Sequence, residues 1–549
     1  MIYSFRKRTM SVVAGLFWCA GAALAQNTVD IKIMAINDLH GQITTGQKVS
    51  GRPVGGAAVL ASYIQSASTG WENCRGLVEV GDLVGASQPE CALMQDEPAI
   101  MLMNYFAAKM PVIGAIGNHE LDEGIPELKR ILNGGNHANG PFLQDPWKGA
   151  NFPVICANMT DSATGFPIQY PFNIQTVPGI NVPVAFISVV LKETPTMVSA
   201  TAVAGLRFID EVKTVNYYVS MLRDMFGIHA FFVLLHQGGS QTSYAGWTDT
   251  LKAGPTSDIV NLVSGFDDDV DVVCTAHSHS FTNAFVANKN GHKMLLTQAY
   301  SKGTAYAEIV CTVDKDSRDI IAKKAQIVTT YGDAGPGLTP DPIIAVGVDT
   351  CILKVKPLTS RVIGSTNAAI SATQNSAGES SLGDLIADAH RAAMVTDFAM
   401  TNPGGIRADL PAGTITWGTL YTIQPFSNYL VKMNITGQQL YDVLEQQWAG
   451  QPYIKMLQIS GFSYTWDNNP PVGGRIVEVR KNGVAIDRNA AYSMTVNNFL
   501  AGGGDNFTAL RNGTNLVNGP IDLDALVTFI QAQAQPINYS IQGRAIRLN

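Results

Sequence analysis

The stretch GAIGNHELDEG, residues 114–124, ends an apolar run in Asn118, His119, Glu120 and Asp122, four polar side chains of different chemistry within five positions. Alone, such a loop reads as a solvated turn as readily as a site. Matching loops end four other apolar runs: Asp38 and His40 in NDLHG, Asp82 in GDLVGAS, His236 in LLHQGG, and His277 and His279 in AHSHS. Five of the nine histidines fall in these places, whereas His137, His229, His292 and His390 lie outside the pattern and read as ordinary polar or partly buried histidines. Carboxylate, imidazole and amide ligands without a cysteine suit two borderline cations such as Zn or Mn better than a structural zinc. One carboxylate bridging two cations would hold them about 3.5–4 Å apart, the separation that clamps the attacking and leaving oxygens of a phosphoryl group. A single D-x-H or H-x-H carries little, and Asp82 alone could be a turn residue. The joint occurrence is the signal.

Such loops need strands to hold them. IKIMAI, GLVEV, PVIGAI, AFFVLL and DVVCT are rich in β-branched and apolar residues, as expected for central strands buried on both faces. Helix-like stretches, EPAIMLMNYFAAKM and TVNYYVSMLRDMF, lie between them. The pattern predicts an α/β domain whose polar loops converge on one crevice at the carboxyl ends of the strands. The Gly- and Pro-dense YGDAGPGLTPDP, 331–342, reads as its boundary, followed by a linking helix and a second α/β or α+β unit. The expected division is a signal peptide over 1–25, a first domain over 26–335, a linker helix over 336–360 and a second domain over 361–549.

At 549 residues two domains are the natural prior. The opening segment has Arg6, Lys7 and Arg8, then an apolar run, then Ala23, Leu24 and Ala25, the pattern of an export signal cleaved before Gln26. Its apolar run is short of the roughly 20 residues that span a bilayer. The expectation is therefore a secreted or periplasmic protein with no membrane anchor after cleavage. Cleavage removes three of the 37 basic residues and none of the 44 acidic ones, so the acidic excess widens and a basic footprint for a nucleic acid polymer is absent. Six cysteines remain, and Cys74 and Cys91, which bracket GDLVGAS, could either form a disulfide or be free and buried.

Together, NDLHG, GDLVGAS, GNHELD, LLHQGG and AHSH resemble the five blocks of the calcineurin-like metallophosphatases. With TNPGGIR, QPFSN and NNFLAGGGDNF downstream, nearly all of the mature chain resembles the secreted 5′-nucleotidase and UDP-sugar hydrolase family. The resemblance implies a four-layer metallophosphatase β-sandwich flanked by helices, a linking helix, a second α/β domain that recognises the nucleotide, and an active site between domains that rotate. It implies two divalent metal ions (Zn, Mn or Co), one held by Asp38, His40 and His279, the other by Asn118, His236 and His277, with Asp82 bridging. His119 would stabilise charge in the transition state or on the leaving group, with Asp122 orienting its ring and Glu120 supporting the loop. Phe426 and Phe499 match the family's base-stacking pair, and Asn402, Gly405, Arg407 and Asp505 its other substrate-binding positions. Both phenylalanines read equally as core residues.

The chain departs from the family pattern in two places. Where relatives often carry arginines it has QNSAG, 374–378, and position 506 is Asn where Gly is usual. The expected activity is removal of phosphate from nucleoside 5′-monophosphates, extending to UDP-sugars or other nucleotide diphosphates. The alternatives are a 2′,3′-cyclic-nucleotide or 3′-nucleotide phosphoesterase, and a non-catalytic exported nucleotide-binding protein.

Overall fold

The computed structural model describes residues 27–256, 258–451 and 453–549, so the expected signal segment and its cleavage point lie outside the described residues. The five apolar runs are strands, Thr28–Ile36, Arg75–Glu79, Val112–Ala115, Ala230–His236 and Val270–Thr275. The first three are parallel neighbours in one six-stranded sheet, and the last two are parallel neighbours in another. Antiparallel strands extend both sheets, Ala305–Asp314 beside Thr28–Ile36 in the first and Phe281–Ala287 beside Lys293–Ala299 in the second.

The period-two geometry of a strand explains why these runs have almost no polar positions. Ile31, Ile33 and Ala35 point into a core shared with Phe232, Leu234 and Val272 of the other sheet. Their neighbours Met34 and Ile36 point the opposite way, onto the helices Ala57–Ser68 and Glu97–Ala107. On the second sheet Phe231, Val233 and Leu235 face the helix Glu211–Phe226, which starts at Asp210, whose side chain accepts from Lys213 N, and stops at Gly227 in the left-handed region. The result is helix, sheet, sheet, helix, the expected four layers. Because the five parallel strands run the same way within each sheet, their carboxyl ends bring all five polar loops to one edge.

A helix, Pro342–Thr359, follows, capped by Asp341 accepting from Ile343 N and Ile344 N. Beyond it a five-stranded mixed sheet runs Gln458–Ser460, Phe398–Thr401, Ala491–Asn497, Tyr429–Thr436, Thr514–Ile521. The helices Ser381–Met394 and Asp522–Ala532 belong to the apolar cluster on one side of it, and the helix Gly437–Glu445 to the cluster on the other. The two halves touch directly: Ala92 and Leu93 pack against the second half's core, and Thr422 Oγ1 donates to Gln88 Oε1 at 3.1 Å. No helix of the described residues is long and apolar enough to cross a membrane. Cys74 and Cys91 are both free, the first half-buried and the second buried, so the disulfide alternative is not realised.

Phe232 is fully buried between the sheets, its ring 5.0 Å from that of Phe186 on the adjacent strand. Phe232→Ala is expected to cost about 3–5 kcal/mol, the usual range for emptying an aromatic core site, read as a lowered midpoint in urea unfolding.

Candidate metal centre and adjoining cavity

The loops are first tied together through their backbones. Asp38 N donates to Gly81 O (3.1 Å), His40 N to Asp82 O (2.9 Å) and Gly41 N to Leu83 O (3.0 Å), so the D-x-H loop and the GD loop run as one ribbon. Glu120 ties in the third loop: its buried carboxylate accepts from Gly117 N (2.6 Å), Asp82 N (2.9 Å), Leu83 N (2.8 Å) and Val84 N (3.3 Å). The expected supporting role of Glu120 takes this concrete form. Gly81 and Gly117 are required by proximity, since a Cβ on Gly81 would stand 2.5 Å from Gly117 N and one on Gly117 2.2 Å from Asp82 Oδ1.

On that frame the polar side chains converge in three overlapping groups: Asp38, His40 and His279; His40, Asp82 and His119; Asp82, His236 and His277. Asp82 belongs to two of them, as a shared carboxylate should. Its Oδ1 accepts from His119 N at 2.9 Å, leaving Oδ2 at 3.1 Å from His236 Nε2 and 3.8 Å from His40 Nε2. Asn118 Oδ1 lies 3.0 Å from His277 Nδ1. Asp38 accepts from His277 N at 2.9 and 3.0 Å and from Asn37 Nδ2 at 2.6 Å, with His279 Nε2 3.6 Å away.

The tautomers make this a set of electron-pair donors. His40 Nδ1 sits 2.9 Å from Gly85 O and His236 Nδ1 2.8 Å from Val80 O; only an N–H can pair with a carbonyl, so in both rings the Nε2 lone pair is left free. His40 Nε2 then lies 3.0 Å from His279 Nε2, and the buried His236 Nε2 has no aligned hydrogen-bond partner although Asp82 Oδ2 is 3.1 Å away. Lone pairs facing one another at these distances ask for positive charge between them, so the residues present fit divalent cations. The ionisation follows the same logic. Burial pushes the Asp38 carboxyl up to about 7 and the imidazoles of His277 and His279 down to about 3, while at His236 the Asp82 carboxylate outweighs burial and lifts the ring to about 10, so that without a cation a proton on Nε2 supplies the positive charge.

Asp38, His40, Asp82, His277 and His279 all have φ between 48° and 67°, a left-handed conformation that costs an L-residue about 1–2 kcal/mol each. This concentration of strain marks a backbone shaped to aim side chains rather than to relax.

His119 Nδ1 pairs with Asp122 Oδ2 at 2.8 Å; burial presses its imidazole down, but the carboxylates of Asp122 and Asp82 outweigh it and hold the ring above its usual range. Phe426 from the second half stacks on the His119 ring, centroids 5.8 Å apart and planes 16° apart, and the Arg407 guanidinium lies 5.7 Å from the Phe426 centroid. A cavity of about 180 Å³ opens beside them. Asn118, His119, Asp122 and His277 line it from one half; Asn402, Gly405, Arg407, Phe426, Phe499 and Asp505 line it from the other. Every site residue expected from sequence therefore falls either in this cavity or in the ligand cluster that adjoins it. Both phenylalanines are half-buried cavity walls, although Phe499 also packs on the core. Asn506 has φ 61°, which explains why glycine suits the position and why asparagine is tolerated there. In QNSAG, Asn375 Oδ1 accepts from Ala377 N (2.9 Å) and Glu379 N (3.1 Å), closing a turn that Gln374 Nε2 ties to Met456 O (3.0 Å).

Sequence reasoning missed Asn428, Tyr453, Lys455 and Met197–Ser199, which also line the cavity. Only Lys455 left a signal, a lone charge inside the run YIKML. His390, expected to be polar or partly buried, is wholly buried, and burial alone pushes it down to about 3.

Residues 31–281 match the calcineurin-like phosphoesterase family, and residues 362–512 match the 5′-nucleotidase C-terminal domain. An endonuclease of Bacillus subtilis is 36% identical over 94% of the chain, which spans only 41% of that relative's length. A cell wall protein of Listeria monocytogenes is 30% identical over 97% of the chain and 72% of the relative. The crystal structure of a 5′-nucleotidase precursor from Thermus thermophilus superposes with a TM-score of 0.78 at 24% identity, covering 95% of this chain and 100% of that one, and shows the same fold.

Glu120→Ala should leave four buried N–H groups without their acceptor, at about 1–3 kcal/mol for each that water cannot reach. The expected outcome is a lower unfolding midpoint together with reduced bound metal by elemental analysis, although no ligand has been altered. Full metal content would show that the loops hold themselves.

Proposed function

Because the chain belongs to the calcineurin-like phosphoesterases that carry a 5′-nucleotidase C-terminal domain, a family of metal-dependent hydrolases, we propose that it removes the phosphate from nucleoside 5′-monophosphates. The observation that carries this reading is a cavity whose walls come from both halves and include both Asn118, His119 and His277 beside the ligand cluster and the aromatic side chains of Phe426 and Phe499. A nucleotide carries the two matching features, a phosphate and a base. Cleavage of UDP-sugars or other nucleotide diphosphates belongs to the same reading, since the bond broken is again at phosphorus.

In this proposal Asp38, His40 and His279 hold one divalent cation, Asn118, His236 and His277 the other, and Asp82 serves both. When bound, the cations supply Lewis-acid polarisation of the phosphoryl oxygens. Arg407 is assigned to the phosphate rather than the ribose, because its guanidinium lies 5.7 Å from the centroid of Phe426, the ring stacked on His119 beside the ligand cluster. Asp122, fixed on Nδ1, keeps the His119 ring oriented and its charge favoured, so the other nitrogen can donate to the leaving oxygen. Phe426 covers the face of that ring and keeps water from it. Export to the cell surface or periplasm is supported by the opening sequence pattern and by the name of the Listeria relative.

Two substitutions test the division of labour. His119→Ala should retain metal and lower kcat, since its task lies in the transition state; loss of metal would make it a ligand. Base stacking is worth about 1–3 kcal/mol, so Phe499→Ala should lower kcat/KM for AMP about 5- to 150-fold and that for p-nitrophenyl phosphate far less. Phe499 is the cleaner probe, because Phe426 also touches His119. Equal losses on the two substrates would make Phe499 a core residue only.

A further inference from the structure

The helix Pro342–Thr359, which joins the two halves, packs by one face only. Ile344, Val348, Cys351 and Val355, one helical turn apart in succession, sit on the core of the first half. Turned away from them is a second stripe, Ile343, Val346, Thr350, Leu353 and Pro357, all exposed. Ile343, Val346 and Leu353 are each 66–67% exposed. Thr350 Oγ1 donates to Val346 O (2.8 Å) within the helix, so its hydroxyl is satisfied and its methyl group completes the stripe. The spacing alternates three and four residues, the narrow seam of a helix pair rather than the wider face that a globular core covers. A lone exposed leucine needs no explanation, but a seam running the length of a helix of about 27 Å does.

The residues beside the seam say what covers it. Glycine weakens a helix interior, yet a Cβ on Gly347 would meet nothing within 4 Å, so no contact inside the chain asks for glycine there. A second helix passing close does. Asp349 and Lys356 stand one heptad apart in the column on one side of the seam, and Gly347 and Lys354 occupy the column on the other. Asp349 and Lys356 are exposed and not ion-paired among the described residues, whereas Lys354 Nζ already donates to Phe142 O (2.7 Å). When two such helices run antiparallel about a two-fold axis, the first column meets its own copy reversed, and Asp349 of each chain faces Lys356 of the other. The same register sets Leu353 of each copy on Thr350 of the other, and Val346 on Pro357. A parallel pair would bring Asp349 to the engaged Lys354 instead. An anionic lipid surface would repel Asp349.

We propose that the exposed face of Pro342–Thr359 is the contact through which two copies of this chain pair, antiparallel about a two-fold axis, with Asp349 and Lys356 setting the register. One helix from each copy is a small interface, so the dimer forms with a Kd of about 1–100 µM and dissociates on dilution.

Sedimentation velocity of the metal-loaded full chain over about 1–200 µM tests this, and its readout is the monomer–dimer Kd. Leu353→Asp should leave a monomer throughout, with the far-UV circular dichroism of the wild type, since the side chain is exposed in the single chain. Asp349→Lys sets like charges against each other at two places along the seam and should raise Kd about 3- to 30-fold, as should Lys356→Asp. Combining Asp349→Lys with Lys356→Asp restores opposite charges and should return Kd to within about threefold of the wild type. A wild-type chain that stays monomeric at the highest concentration overturns the proposal, and so does a dimer that Leu353→Asp leaves intact. A double variant no better than either single one overturns the pairing of Asp349 with Lys356. If Leu353→Asp does not fold, Val346→Asp carries the same expectation. Flotation of the chain with vesicles of phosphatidylcholine and phosphatidylglycerol, lost in Leu353→Asp, would assign the face to a lipid surface and overturn the proposal as well.

Discussion

Withdrawing two carboxylates and several imidazoles from water at one edge of a β-sandwich is unfavourable unless positive charge balances them. That requirement governs the structure around Asp38 and Asp82. Each carboxylate is stabilised by backbone N–H groups, from His277 for Asp38 and from His119 for Asp82, so part of its hydrogen-bonding capacity is met by the fold itself. The remaining oxygens and the ring nitrogens of His40, His236 and His279 face each other at distances that only a proton or a metal ion relieves. Carbonyl partners on His40 and His236 fix which nitrogen faces the cluster, and both rings are buried. The ligand cluster and the rigidity of the sandwich are thus one arrangement: the sheets make burial possible, and the divalent ions that the family implies make it tolerable.

The backbone bears the consequence. Five of the seven residues assigned to metal binding adopt left-handed φ, a conformation that side chains disfavour, and three of them, Asp38, His40 and Asp82, do so in loops tied to Glu120, Gly81 and Gly117. Strain of this kind persists where the surroundings over-determine it. A carboxylate accepting from four N–H groups of two separate loops is such a surrounding. Glu120, the member of GNHELD with no part in the chemistry, is the one that gives the other members their places.

The proposed recognition depends on contact between the halves. Phe426 stacks on His119 and sits under Arg407, so a residue read as a wall for the base also screens the ring that would donate to the leaving oxygen. The cavity is consequently defined by the relation of the two halves as much as by either one. Lys455 and Asp505, both from the second half, are paired on its wall.

The layered fold and the convergence of the polar loops were legible in the sequence because both depend on local patterns. A strand buried on two faces must be apolar throughout, and a polar, Gly-rich loop must follow where its end reaches a ligand, so IKIMAI into NDLHG or DVVCT into AHSHS announces itself. The family motifs extended this to Phe426, Phe499 and Asp505. Sequence alone left open whether Cys74 and Cys91 pair, whether Phe426 and Arg407 stand beside His119, and what stands beside Asp505. Each of these depends on contacts between residues far apart in the chain, and neither spacing nor composition encodes them. Lys455 meets Asp505 across 50 positions, after a helix, a sheet and a left-handed turn have each been placed by their own packing. Only the folded chain brings the ammonium to the carboxylate, because side-chain pairing is a property of distance in space, and that distance is set by the burial of everything between them.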